Sequence, residues 1–225
     1  MHPLPMLLFA FLQAASAGTA VVELFTSEGC SSCPPADALL SELAAEGTPG
    51  VILLELHVDY WDRLGWPDPW ADKQFSDRQR RYGERFDQVY TPQMVVNGEA
   101  QFVGSDRLMA RALIAKALAA PQSALMVDAR REGQTVRATV AGAPNGTTLV
   151  AAIVEDGLSS DVQRGENRGS KLRHGRVARA WVEGPGPTIA VPVPAGIDPA
   201  KARLVVLAQE PKSLRIVAAA ERPLP

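Results

Sequence analysis

Apolar and polar positions follow two different rhythms along the chain. In the first half, short apolar runs alternate with stretches of helical period. Residues 21–25 (VVELF) are apolar and rich in β-branched side chains, which predicts a buried strand. Ala36, Leu39, Leu40, Leu43 and Ala44 then recur at helical spacing, and Gly47 ends that helix. Residues 51–58 (VILLELHV) predict a second buried strand. Strand, helix, strand over this length is a βαβ unit with parallel strands and a right-handed crossover. Its strand ends share one sheet edge, which brings Asp59, Tyr60 and Trp61 beside the loop after the first strand. A helix from about 71 to about 86 follows. It carries Phe75, Gln79, Tyr82 and Phe86 on one face, and its Arg78, Arg80, Arg81 and Arg85 are read as a solvated face. Asn97-Gly98 between two apolar runs predicts a type I′ hairpin. Ser105 is read as the cap of a last helix bearing Leu108, Ala112, Ala115 and Ala119, with Pro121 beyond its end.

After Pro121 the rhythm changes to short β-rich runs separated by turn residues. Seven strands are predicted, over 124–130, 135–141, 147–155, 176–183, 188–193, 203–209 and 215–220. The spacing suggests an immunoglobulin-like antiparallel sandwich without the usual disulfide, since no cysteine lies here. The expected organisation is therefore an α/β domain over 18–121 followed by an all-β domain over 122–225. One connection, 156–175, is long and polar. It is read as a mobile solvated loop, as a lid over the loop after the first strand with Glu166, Asn167 and His174 as its candidate contacts, or as a docking site for an acidic partner.

Composition narrows the class. At 225 residues with 46% hydrophobic content, the chain can bury a real core. A net charge of −2 gives no electrostatic case for nucleic acid or for an anionic membrane. Residues 6–12 are apolar and Ala15-Ser16-Ala17 fits a cleavage site. Residues 1–17 are thus read as a secretory signal and the mature chain as periplasmic or secreted, without a membrane span. No glycine pattern for a nucleotide occurs in its required context.

The chemistry lies in Cys30 and Cys33, the chain's two cysteines, in C-x-x-C spacing between the first strand and the first helix. A helix N-terminus offers unpaired N–H groups and a favourable dipole to a thiolate. Cys30 is read as the exposed attacking sulfur and Cys33 as the resolving one. A structural clip is the bland alternative, but so short a loop gains little from closure. With no further cysteine, and only His2, His57 and His174, a closed zinc site is not expected, and no metal or cofactor is assigned. Trp61, Trp66 and Trp70 form either an aromatic wall for a substrate or simple filling between loop and sheet. The partners implied are a protein or small thiol/disulfide substrate and a redox partner, with no oligomeric state indicated.

The order β, α, β, α, β, β, α with C-x-x-C after the first strand resembles the thioredoxin fold. Thr91-Pro92 matches the family's cis-proline, which implies that these residues align the substrate backbone against Cys30. The buried acid of thioredoxin itself has no counterpart. Its position holds Leu24, and Asp59 and Glu28 are weak substitutes. More narrowly, FTSEGCSSCPPAD and RGENRGSKLRH resemble DUF1223, a group of exported bacterial proteins without an assigned function. The resemblance implies a thiol–disulfide oxidoreductase. Two other classes remain open: a copper-delivery protein using Cys30, Cys33 and a histidine, and a binding module whose disulfide is only structural.

Overall fold

The continuous apolar runs form strands and the periodic stretches form helices in the computed structural model, which describes residues 18–225. The expected signal at 1–17 lies outside the described residues. In the first half, β1 (Ala20–Thr26), α1 (Pro34–Glu46) and β2 (Val51–His57) make the βαβ unit, β1 and β2 pairing in parallel from Ala20↔Val51 to Thr26↔His57. A 3-10 turn (Asp59–Leu64) leads to α2 (Lys73–Phe86), then to β3 (Gln93–Val96), β4 (Ala100–Val103) and α3 (Arg107–Ala119). Asn97 and Gly98 both adopt positive φ, as the hairpin requires. Asp106, not Ser105, caps α3, its carboxylate accepting the Met109 N–H.

The second half supplies β5 (Met126–Glu132), β6 (Thr135–Ala141), β7 (Thr148–Glu155), β8 (Leu158–Asp161), β9 (Lys171–His174), β10 (Val177–Gly184), β11 (Thr188–Pro192), β12 (Ala202–Gln209) and β13 (Ile216–Pro223). Seven of these strands match the seven expected. β8 and β9 are additional: the stretch 156–175, read as a loop, folds into a hairpin.

Strands of both halves join one eight-stranded sheet, in the order β13-β12-β7-β10-β2-β1-β3-β4. The joint is a parallel pairing of β2 with β10 at Glu55↔Val177, reinforced by Glu55 N–H to Arg176 C=O at 2.9 Å. The expected boundary after residue 121 therefore crosses a continuous sheet. The reason is that β2, flanked by β1 on one side only within the first half, has a second hydrogen-bonding edge, which β10 meets at Glu55.

Three apolar clusters hold the layers. α1 and α3 cover one face of β1 and β3 through Leu39, Leu40, Leu43 and Ile114. Phe75 and Tyr82 of α2 cover the other face, in a cluster that runs on to Val205 and Leu207. The three-stranded sheet β11-β6-β5 packs on the β13-β12-β7-β10 end of the large one. β7 serves both sides: Val150, Ala152 and Val154 face the α2 cluster, while Leu149, Ala151 and Ile153 face the small sheet. A strand buried on both faces reads as an unbroken apolar run, as LVAAIV does.

α2 corrects one expectation. Arg78 is 1% exposed and not solvated. Its guanidinium donates to Glu23 (Nη2 to Oε2, 3.2 Å) and to Gln209 Oε1 at 3.0 Å, and lies 4.7 Å from the Trp181 ring centroid. Tyr82 Oη also donates to Glu23, at 2.6 Å. Glu23, an acid inside an apolar strand, needs a buried cation, and the adjacent turn of α2 provides it.

Candidate disulfide site and its buried charge cluster

β1 delivers the chain to the cysteine loop and α1 carries it away. Pro34 and Pro35 open α1, and the N–H missing at N1 is one the helix would leave unpaired anyway. The loop folds by Cys30 N–H to Ser27 C=O (3.1 Å) and Cys33 N–H to Cys30 C=O (3.2 Å). This holds the two Cα atoms 5.4 Å apart, and Cys30 and Cys33 are joined as a disulfide. Both cysteines are 0% exposed, so Cys30 is not the open sulfur expected of it.

The cover comes from two directions. Thr91 and Pro92 share a cis peptide bond just before β3. Thr91 Oγ1 donates to Cys30 Sγ at 3.4 Å and accepts the Trp61 indole N–H at 2.9 Å, while Ser32 Oγ approaches the Thr91 carbonyl at 3.5 Å. Trp61 also lies against the loop backbone: a Cβ on Gly29 would stand 3.1 Å from the Trp61 Cβ. From the other side, the turn between β8 and β9 descends on the loop. Asn167 Nδ2 donates to the carbonyls of Glu28 (2.8 Å) and Cys30 (3.0 Å), and Glu166 Oε2 accepts the Ser31 N–H at 3.0 Å. Thr91, Trp61, Glu166 and Asn167 therefore converge on the disulfide loop, with Pro92 following Thr91 across the cis bond. Trp66 reaches the neighbouring Glu28, donating to Oε2 at 2.8 Å, whereas Trp70 lies instead under Arg179, 4.9 Å from guanidinium to ring.

His174 is not at the tip of this hairpin. It ends β9, buried, and enters a polar cluster behind the loop. His174 Nε2 bonds Glu28 Oε1 at 3.0 Å and its Nδ1 bonds Glu55 Oε1 at 2.7 Å. His57 Nε2 faces the same Glu55 oxygen at 3.3 Å, and its Nδ1 bonds Asp68 Oδ2 at 2.7 Å. Burial alone would depress both imidazoles. The Asp68 and Glu55 carboxylates outweigh it and hold His57 well above its ordinary value, and Glu28 and Glu55 lift His174 to about 9. Burial likewise pushes the carboxyls up, but the histidines hold Glu28, Glu55 and Asp68 below their ordinary range. Among the described residues, the group close enough to share a metal ion is Glu55, His57 and His174, and neither cysteine belongs to it.

One buried carboxyl behaves differently. Asp37, in the first turn of α1, accepts the Thr26 hydroxyl at 2.6 Å through Oδ1, and its Oδ2 has no partner. Burial and the nearby Glu55 charge push it up to about 7. It sits four residues after Cys33, one turn along the same helix, its N–H bonded to the Cys33 carbonyl at 3.2 Å. The two weak substitutes named for the missing acid are otherwise occupied: Glu28 by His174, and Asp59 by the Ser76 hydroxyl at 2.5 Å.

The Glu55–His57–His174 cluster and Asp37 are the parts that the sequence reading missed. A signal for the first was present. Glu55 is a lone acid inside VILLELH, and His57 follows on the same face of the strand two residues later.

A family model described as "Protein of unknown function (DUF1223)" matches residues 21–209. The X-ray crystal structure of a protein from Agrobacterium tumefaciens, a structural-genomics target, is similar to this chain at 31% identity. It superposes with a TM-score of 0.67 over 92% of this chain and 95% of that one. No curated protein matches the chain.

Proposed function

The chain belongs to the DUF1223 family, and we propose that it is a thiol–disulfide oxidoreductase of the cell envelope working through Cys30 and Cys33. The observation that carries this reading is the Cys30–Cys33 disulfide at the start of α1 with the Thr91 hydroxyl on Cys30 Sγ. The order β1-α1-β2-α2-β3-β4-α3, with the C-x-x-C after β1 and the cis Thr91–Pro92 before β3, supports a thioredoxin-like first half. The small sheet packed on β7 and β12 supports an immunoglobulin-like layering in the second.

In the exchange, a substrate thiolate attacks Cys30 Sγ and the Cys30–Cys33 bond breaks. Cys33 leaves as a thiolate and takes a proton from Asp37, whose position near pH 7 suits it to both directions of transfer. A second substrate thiol then attacks the substrate's own sulfur and releases Cys30. The substrate ends as a disulfide and the protein as a dithiol, two electrons having moved to the protein, and the reverse sequence reduces a substrate. Thr91 positions Cys30, Trp61 fixes Thr91, and the Glu166–Asn167 turn must lift to admit a substrate.

The reduction potential tests this. A value at or above about −270 mV with rapid exchange fits a working dithiol pair. A value below about −300 mV with slow exchange makes the disulfide a structural clip, and the binding-module reading replaces the redox one. The complete burial of both cysteines is the observation on that side.

A further inference from the structure

Asp68, His57, Glu55, His174 and Glu28 form an unbroken buried run in which carboxylates and imidazoles alternate. At its centre a single oxygen, Glu55 Oε1, faces His57 Nε2 at 3.3 Å and His174 Nδ1 at 2.7 Å. The other oxygen, Oε2, is already held by the Gly175 N–H at 3.1 Å. One ligand atom from each of Glu55, His57 and His174 lies within 4.8 Å of the other two. A tetrahedral zinc with ligands at about 2.0–2.2 Å holds them about 3.3 Å apart, so small side-chain rotations separate the two arrangements.

The outer contacts fit the same description. Imidazoles that bind a metal usually give their second nitrogen's proton to a carboxylate, which fixes the ring. His57 Nδ1 faces Asp68 at 2.7 Å, and His174 Nε2 faces Glu28 at 3.0 Å. Charge balance agrees. The four N···O contacts need four protons, shared among two imidazoles and three carboxylates in a closed interior. A divalent cation in place of the two inner protons leaves the total charge unchanged. It also leaves both imidazoles neutral, the state in which they bind a metal.

We propose that Glu55, His57 and His174 are a zinc-class divalent metal site, with Asp68 and Glu28 orienting the two imidazoles. Two imidazole nitrogens and one carboxylate suit zinc better than magnesium or calcium, which take oxygen ligands. The fourth position goes to water. Glu28 lies two residues before Cys30, so a bound ion braces the disulfide loop from behind. The site stands whether or not the cysteines exchange.

The test uses the full chain with its disulfide oxidised, so that no thiolate can take part. The protein is stripped with EDTA, dialysed against zinc sulfate, and examined by elemental analysis and X-ray absorption. The expected result is one zinc per chain retained through buffer exchange, with a first shell of nitrogen and oxygen including two imidazoles. Two protons should be released per zinc in weakly buffered titration. His57→Gln and His174→Gln each abolish retention, and Asp68→Asn weakens it by about 10–100-fold. Should the histidine variants fail to fold, the proton count and the scattering shell of the unaltered protein decide. Retention well below one zinc per chain, sulfur in the first shell, uptake without proton release, or undiminished retention in a folded histidine variant would each overturn the site. None of these outcomes touches the reduction potential, so the two proposals fail separately.

Discussion

Two buried charge networks tie the halves of this molecule together, and they are built on opposite principles. Around Arg78, one guanidinium that stays charged at every accessible pH is held by Glu23, Gln209 and Tyr82, with Trp181 across its face. Around Glu55, two imidazoles and three carboxylates share protons, and Asp37 nearby lies close to neutrality in its titration. Both reach from β1 or β2 to the second half: the first to Gln209 of β12, the second to His174 of β9. The first network has a single charge state and serves structure. The second has several and lies behind the disulfide. A buried polar group that can exchange its proton, or exchange it for a metal, points to chemistry in a way that a fixed ion pair does not.

The largest effect should come from breaking the fixed pair. Arg78→Met leaves Glu23 buried without its cation and should cost about 3–5 kcal/mol in urea unfolding. The double variant Glu23→Gln/Arg78→Met should recover much of the loss, because a buried pair removed as a whole costs far less than one partner removed. A double variant no more stable than Arg78→Met alone would erase the contrast between the networks.

Asp37 gives the converse. Its carboxyl rises from the ordinary 3.8 to about 7 in the folded protein, under burial and the Glu55 charge, partly offset by His174, Thr26 and His57. The native state then binds this proton more tightly than the unfolded chain does. Its stabilising contribution is complete below about pH 4 and is lost as pH rises through 7. Between pH 5 and pH 8, in EDTA, the unaltered protein should lose about 3 kcal/mol of stability relative to Asp37→Asn. Parallel pH curves for the two proteins would show that Asp37 titrates normally, and the assignment of Asp37 as the proton partner of Cys33 would go with it.

The smallest effect sharpens the link between the second network and the disulfide. Asn167→Ala removes two neutral hydrogen bonds from the turn over Cys30, worth about 1 kcal/mol. That raises the uncovered population, and hence the rate of reduction by dithiothreitol, about fivefold. An unchanged rate would mean that access to the sulfurs does not pass beneath this turn.

Much of the fold was legible because its elements obey simple periods. β6 shows clean alternation, with Val136, Ala138 and Val140 buried and Arg137 and Thr139 exposed, and its range was read without error. β1, α1 and β2 were read from the same kind of pattern. Arg78 was misplaced although the signal was there. It lies three residues after Phe75 and four before Tyr82, which puts it on the buried face of α2, and Glu23 is the acid that such a cation would seek. The continuous runs LVAAIV of β7 and LVVLA of β12 likewise carry the mark of strands covered on both sides. What no local pattern carries is the choice of neighbour. Nothing in VILLELH says that its free edge pairs with a strand some 120 residues later. His57 and His174 meet only because of that pairing, so the second charge network could not be assembled by reading along the chain.

The parallel joint between β2 and β10 also bears on solubility. Without β10, β2 would present unsatisfied peptide groups around Glu55 on an apolar strand, the kind of surface that recruits other chains into intermolecular sheets. A polypeptide ending near residue 121 would carry that adhesive border, together with a buried Glu55 stripped of its His174 and Gly175 contacts. The C-terminal half thus acts as a built-in guard against self-association for the half that bears the disulfide, and the two are expected to be inherited and expressed as one piece.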